Sequence, residues 1–270
     1  MRAFRAAVVQ MNAGAECGAN LERAAALARR AAAEGARMVA FPEVFAWRGE
    51  RAREAAEACA IPGRISEFLS ALARELGVVL IGGSFLERGA DGGKAYNTAL
   101  AIDADGTIRG VYRKIHLFDV DLPGRVTVRE SDTRAPGSAV VTAATSLGTI
   151  GLSICYDLRF PELYRALTRA GATILAVPAA FTAHTGAAHW ETLLRARAIE
   201  NQAYVLAPNQ TGMGPHGIAD HGHSMIVDPW GTVLAAAGDG EAVIAAEIDP
   251  AVILRVRAEM PCLAHARLLD

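Results

Sequence analysis

Gly151-Leu152-Ser153-Ile154-Cys155-Tyr156-Asp157-Leu158-Arg159-Phe160-Pro161-Glu162-Leu163 has the pattern of a buried strand that delivers a cysteine to a sharp turn and then a helix. Thr149 to Ile154 alternates apolar side chains with small ones, as a short strand inside a sheet does. Downstream, Phe160, Leu163, Tyr164 and Leu167 recur at helical spacing, Pro161 suits a first turn, and Gly171 can close the helix. A strand-to-helix turn predicts Cys155 near the unpaired N–H groups of the helix start, which favour a thiolate and can bind a developing oxyanion. A lone cysteine is more often a small buried hydrophobe. Two other stretches change that reading: Phe41-Pro42-Glu43-Val44-Phe45, with an acid at the end of an apolar strand, and Tyr112-Arg113-Lys114-Ile115-His116-Leu117-Phe118, with a lysine in the same setting.

Around these stretches, strands and helices alternate. Phe4 to Gln10, a helix from Leu21 to Glu34 ended by Gly35, and Met38 to Phe41 form a βαβ opening. Glu50 to Ala60 is polar and predicts a short surface helix, and beyond Pro62-Gly63 the residues Ile65, Phe68, Leu69, Leu72 and Leu76 mark an amphipathic helix. Val78 to Ile81, Asn97 to Ile102 and Thr107 to Tyr112 predict strands, the last two joined by the hairpin signal Asp105-Gly106. Between Phe118 and Pro136 the chain is polar and irregular; a loop of that length in a compact domain is usually functional. Strands at Ala139 to Ala143 and Thr149 to Ile154, the Pro161 helix, a strand Thr173 to Val177, a helix from about Ala188 to Asn201 and a strand Tyr204 to Ala207 repeat the opening pattern. The tail returns to hairpins, with strands over Gly222 to Val227, Thr232 to Ala235 and Ala242 to Ile248 and a last helix after Pro250. Pattern alone leaves two α/β architectures level, a four-layer αββα sandwich of two mixed sheets and one doubly wound sheet.

A chain of 270 residues with no linker or repeat reads as a single domain over 1–270. A net charge of −2 gives no electrostatic reason to expect a nucleic acid or a membrane surface as partner. Cys17, Cys59, Cys155 and Cys262 are widely spaced with no CxxC pair, which fits a reducing compartment. No signal-peptide pattern opens the sequence and no apolar run is long enough to span a bilayer, so a cytoplasmic protein is expected.

A cysteine nucleophile needs a base for its proton, a cation or N–H groups for the oxyanion, and a proton source for a leaving nitrogen. Glu43, Lys114 and the turn at Cys155 supply all of these, and strand ends on one sheet edge converge on one crevice. With Phe41-Pro42-Glu43, Tyr112-Arg113-Lys114-Ile115-His116-Leu117 and Ile154-Cys155-Tyr156-Asp157-Leu158-Arg159-Phe160-Pro161-Glu162-Leu163 in order along nearly its full length, the chain resembles the nitrilase superfamily of carbon–nitrogen hydrolases. That resemblance implies the αββα sandwich, Glu43 as general base, Lys114 as the cation beside the tetrahedral intermediate, Cys155 as nucleophile and the Tyr156 backbone N–H as a second oxyanion donor. Glu130, in Arg129-Glu130-Ser131, matches a second family glutamate that positions the lysine and the substrate; its other reading is a solvated loop acid, against which its place in the long loop after Lys114 favours the site.

Two branches of the superfamily are echoed. His116 to Gly124 is similar to omega-amidases, whereas Arg159 to Leu163, Ala188 to Glu200 and Gly222 to Gly231 look more like deaminated glutathione amidases. Both branches handle a small α-keto acid amide, so the implied activity is hydrolysis of a carboxylate-bearing amide through a cysteine thioester, without a cofactor. The same triad serves nitrilases and N-carbamoyl amine hydrolases, and the fold can also be kept by a noncatalytic binding protein. Arg159 is the candidate to grip the substrate carboxylate, or else pairs with Asp157 or Glu162. Phe181 and Thr182 stand where family members line the pocket, core packing being the other reading of Phe181. His221-Gly222-His223, with His216 nearby, raises a metal site, but no carboxylate or cysteine follows at ligand spacing and no metal is expected. The chain departs from the family in the glycine-rich loop Met213 to Asp220 and in the Cys262 to Arg267 tail. The family's habit of pairing through helices beside the nucleophile strand implies a homodimer, with the Pro161 helix as its face.

Overall fold

The computed structural model of the chain describes residues 2–89, 93–124 and 126–268, apart from the His216 side chain. Its core is two mixed sheets packed face to face with helices on both outer faces, so the αββα sandwich holds and the single doubly wound sheet does not. Each sheet is built on three parallel strands: Phe4–Gln10, Ala36–Ala40 and Val79–Ile81 in the first, Gly148–Leu152, Ile174–Ala176 and Tyr204–Ala207 in the second. Antiparallel strands extend both. Ala242–Ile248 pairs with Phe4–Gln10, Ala95–Ile102 with Val79–Ile81, Thr142–Thr145 with Gly148–Leu152, and Met225–Val227 with Tyr204–Ala207.

The parallel strands of the first sheet are mostly apolar, with Arg5 and Arg37 near their starts as exceptions, because both of their faces are covered. Successive side chains of a strand point to opposite faces. Ala6, Val8, Met38, Ala40, Ala99 and Ala101 therefore meet the second sheet, while Ala7, Val9, Val39, Leu100 and Ile102 meet the helices Cys17–Ala33 and Arg64–Leu76. On the far side, Leu163, Tyr164 and Leu167 of the helix Pro161–Arg169 and Trp190, Leu194 and Ala198 of the helix Ala183–Asn201 belong to the core that includes the second sheet. Gly151 lets the first of these come close, since a Cβ there would sit 3.0 Å from the Leu167 Cβ.

Several expected boundaries shift. The first helix starts at Cys17 rather than Leu21, and the long helix starts at Ala183 rather than Ala188. The strand before the cysteine ends at Leu152, not Ile154. The polar stretch after Phe118 is not irregular: Asp119–Leu122 and Val126–Arg129 pair as a hairpin, followed by a tight turn at Glu130–Asp132. The sequence does carry the strand signal, Val120 and Leu122 then Val126 and Val128 alternating with polar residues, and these four form one half-buried face of the hairpin; the polar residues between them hid so short a pattern. Glu50 to Ala60 holds a turn at Arg51–Arg53 and a short helix, Glu54–Glu57, whose Glu54 is buried rather than on the surface. No helix among the described residues is long and apolar enough to cross a membrane.

Candidate active site

Glu43 follows the strand Ala36–Ala40 and is almost fully buried. Its position is fixed by its own backbone: the Gln210 Nε2 group donates to the Glu43 carbonyl at 2.8 Å, and the Val44 N–H donates to Ser84 Oγ at 2.9 Å. Val44 holds φ at +46°, a left-handed conformation that is an outlier for a β-branched residue and that the surrounding bonds must maintain. Gly83, at φ +57°, lies against this turn so tightly that a Cβ would strike the Pro42 carbonyl.

Lys114 follows the strand Ile108–Arg113 and ends within reach of both carboxylates, 3.0 Å from Glu43 Oε1 and 2.8 Å from Glu130 Oε2. Glu130 stands on the turn after the hairpin, buried, where the Phe118 N–H donates to it at 2.7 Å and Arg134 Nη1 at 2.6 Å. Arg134 turns its other edge to Glu54, 2.7 Å from Nη2 to Oε1. Asn97 completes the set, donating to Glu43 Oε1 at 2.8 Å. A continuous buried network thus runs Glu54, Arg134, Glu130, Lys114, Glu43. Burial alone would neutralise Lys114, but the charges of Glu130 and Glu43 outweigh it and raise its pKa above the ordinary lysine value. Burial likewise opposes ionisation of Glu130, and Lys114 and Arg134 more than compensate, holding it down to about 2.

Cys155 opens a tight turn, Cys155–Arg159, after the strand Gly148–Leu152 and adopts φ +49°, a second strained residue at this edge. The α-helix begins only at Pro161, so the N–H groups of that helix start do not surround Cys155, contrary to the sequence-based expectation. The expected thiolate is corrected too. Burial, and then the Glu43 charge, push the Cys155 thiol well above its ordinary range, against the smaller opposing pull of Lys114. Lys114 cannot act as a free cation because two carboxylates share it, so burial and the Glu43 charge leave the neutral thiol favoured at Cys155.

Asp157 holds this turn. Fully buried, its carboxylate accepts from the Ile154 N–H at 2.8 Å, the Tyr112 hydroxyl at 2.6 Å and the His116 N–H at 3.1 Å, and meets His116 Nδ1 at 2.7 Å. The lysine and cysteine motifs are therefore welded through one acid, and the His116 ring stacks on Phe160 at 3.6 Å to close the joint.

These groups face a cleft of about 550 Å³, mouth included, lined by Glu43, Lys114, Glu130, Cys155 and Tyr156. Arg159, Phe181 and Thr182 line it as well, so all eight residues singled out in the sequence come together. The Arg159 guanidinium lies 5.1 Å from the Phe181 ring and 3.2 Å from His189 Nδ1, and among the described residues it makes no ion pair with Asp157 or Glu162. Phe181 serves both readings, packing 5.1 Å from Trp190 while forming cleft wall. Four cations, Arg51, Lys114, Arg134 and Arg159, line the cleft against the three carboxylates Glu43, Glu54 and Glu130, a balance that favours an anionic ligand. The His221 and His223 rings stack at 4.5 Å, while the His216 side chain lies outside the described residues. Among the described residues no group of three or more His, Cys, Asp and Glu side chains is placed to hold a metal ion.

Asn97, Arg134 and Glu54 were not singled out in the sequence. Asn97 left a trace, as an amide beside Thr98 inside the mainly apolar strand Ala95–Ile102. Arg134 and Glu54 left none, because each lies in a polar stretch and only the fold pairs the half-buried arginine with the buried glutamate.

The carbon–nitrogen hydrolase family model matches residues 5–258. The deaminated glutathione amidase of Synechocystis sp. is 45% identical over 268 residues, 98% of either chain. Omega-amidase NIT2 of Homo sapiens is 40% identical over 269 residues, covering 99% of this chain and 96% of that one. Among solved structures, Saccharomyces cerevisiae Nit3, described as a member of branch 10 of the nitrilase superfamily, superposes with a TM-score of 0.88 at 35% identity, over 96% of this chain and 95% of that one.

Proposed function

The chain belongs to the carbon–nitrogen hydrolase family, and on that footing we propose that it is an amidase that hydrolyses a small carboxylate-bearing amide through a thioester on Cys155. The observation that carries this reading is the convergence of Cys155, Glu43 and Lys114 on one cleft with an excess of cations, Lys114 being tied to the Glu43 carboxylate at 3.0 Å. Glu43 takes the thiol proton as sulfur attacks the amide carbon. Lys114 and the Tyr156 N–H hold the oxyanion of the tetrahedral intermediate. Collapse breaks the C–N bond, the proton on Glu43 passes to the departing nitrogen, and ammonia or an amine leaves. Water, deprotonated by Glu43, then attacks the thioester; the acid departs and the sulfur regains its proton. Glu130 keeps Lys114 charged and aimed, and Arg134 keeps Glu130 in place.

Arg159 takes the acyl-side carboxylate, with Phe181 and Thr182 as wall. The relatives' names point to deaminated glutathione and to an ω-amide, for which α-ketoglutaramate is our candidate, and a guanidinium free of any carboxylate in this cleft supports that class over neutral nitriles or carbamoyl amines. The test is release of ammonia from α-ketoglutaramate and of amine from deaminated glutathione. Turnover of at least one, with none of a simple aliphatic nitrile or an N-carbamoyl amine, is expected; turnover of the nitrile or carbamoyl compound alone would move the chain to another activity of the family.

Four unpaired cysteines support residence in a reducing cytoplasm. The outer-face helix Pro161–Arg169 is the proposed dimer contact, and sedimentation at the monomer mass would contradict it.

A further inference from the structure

Asn97 is an uncharged side chain set among the charges of the buried network, and its contacts are one-sided. It sits fully buried in the strand Ala95–Ile102, across from the lysine, whose backbone N–H donates to the Asn97 carbonyl at 2.8 Å. Its side-chain amide turns Nδ2 toward two carboxylates, 2.8 Å from Glu43 Oε1 and 3.4 Å from Glu130 Oε1. The reverse orientation would set the amide oxygen against both carboxylates, acceptor against acceptor, so the neighbours dictate which way the amide points. Its own oxygen then finds no donor among the described residues. A buried acceptor left unpaired is a cost to the fold that an apolar side chain of the same shape would avoid. What the cost maintains is the pair of N–H contacts to the carboxylates.

Those contacts make the two oxygens of Glu43 unequal. A carboxylate oxygen offers about two lone-pair sites. On Oε1 both are taken, by Asn97 and by Lys114 Nζ at 3.0 Å. Oε2 accepts the Ala180 N–H at 2.8 Å and keeps its second lone pair open. Ala180 lies two residues past Pro178, whose carbonyl accepts the Cys155 N–H at 2.9 Å, so Oε2 is the oxygen on the nucleophile's side.

We propose that Asn97 is a positioning residue for proton transfer: by filling Oε1 it confines the proton taken from Cys155 to Glu43 Oε2, from which the departing nitrogen receives it. This rests on the amidase reading above. The S–H bond breaks as the O–H bond forms on Oε2; as the C–N bond breaks, that O–H gives its proton to the nitrogen and Oε2 is an ionised carboxylate oxygen again. Neither transfer requires the carboxyl group to rotate. Without Asn97 a lone pair opens on Oε1, and a proton that settles there is out of line with the leaving group. The penalty falls on nitrogen, because an amide nitrogen must be protonated to leave whereas a 4-nitrophenolate leaves as the anion.

The experiment measures kcat/KM in the wild type, Asn97→Leu and Asn97→Ala on two substrates with the same acyl group, an amide and the γ-(4-nitrophenyl) ester of α-ketoglutarate. The amide is α-ketoglutaramate or deaminated glutathione, whichever the wild type turns over, and a thermal melt shows that each protein is folded. Asn97→Leu is expected to stay folded, since it removes the unpaired acceptor together with the donor. It should lose about tenfold to a hundredfold on the amide and at most about threefold on the ester. Asn97→Ala carries the same comparison if the leucine variant does not fold. Equal losses on the two substrates, or an amide value within about twofold of the wild type, overturn the assignment. If neither variant folds, Asn97 is a structural residue and the assignment falls as well. If the wild type cleaves neither amide, the amidase reading itself fails and takes the proposal with it; once it cleaves either, the ratio of the two losses judges Asn97 alone.

Discussion

Cys155 is the residue on which sequence and structure differ most instructively. Its position after a strand, beside an acid and a lysine, was legible from three short motifs, but its protonation was not, because protonation depends on how many carboxylates share the lysine. Two do, Glu43 and Glu130, and the second of these sits on a turn whose polar surroundings look like solvent-exposed loop. Burial and the Glu43 charge raise the thiol pKa, so the thiolate fraction keeps growing as pH rises through the range where a free cysteine levels off. Alkylation by iodoacetamide should climb with no plateau up to about pH 9. Removing the Glu43 charge lowers the thiol pKa, so Glu43→Gln is expected to alkylate faster at neutral pH while losing amide turnover. A plateau near the free-cysteine value in the wild type would show that Lys114 dominates instead.

Among the elements, the two that carry Lys114 and Cys155 come from different sheets, and Asp157 joins them. Its carboxylate collects donors from Tyr112, His116 and Ile154, which explains why both motifs contain polar residues that never reach the cleft. Asp157→Ala leaves those donors buried without an acceptor and should cost about 3 kcal/mol in urea denaturation. A loss below about 0.5 kcal/mol would mean that the joint is not structural. The hairpin Asp119–Leu122 with Val126–Arg129 was the element least legible in the sequence, since its strands are only four residues long and its one apolar face is only half-buried, beside the cleft that it reaches through Val128. By contrast the strands Phe4–Gln10 and Ala36–Ala40 were plain, because helices on one side and a second sheet on the other require the apolar runs Ala6 to Val9 and Met38 to Ala40.

In the whole molecule, the doubled βαβαβ pattern predicted two parallel cores but could not say whether they continue one sheet or stack. Stacking is decided by the strand faces: Ala6, Val8 and Met38 are small or flexible enough to meet Ile150, Leu152 and Ile174 across the interface. That stacking brings the C-terminal ends of both sheets' parallel strands to one edge, so Glu43 from one sheet and Cys155 from the other face the same cleft. The fold, and the meeting of Glu43, Lys114 and Cys155 at one cleft, could thus be read from local pattern and resemblance, whereas the pair Arg134 and Glu54 beside them exists only in three dimensions. The most direct test is intact-mass analysis of the enzyme acid-quenched during turnover of α-ketoglutaramate, followed by peptide mapping. An acyl adduct confined to the peptide bearing Cys155, and absent from Cys155→Ala together with all ammonia release, is the predicted result; sustained turnover by Cys155→Ala would contradict covalent catalysis at this cysteine.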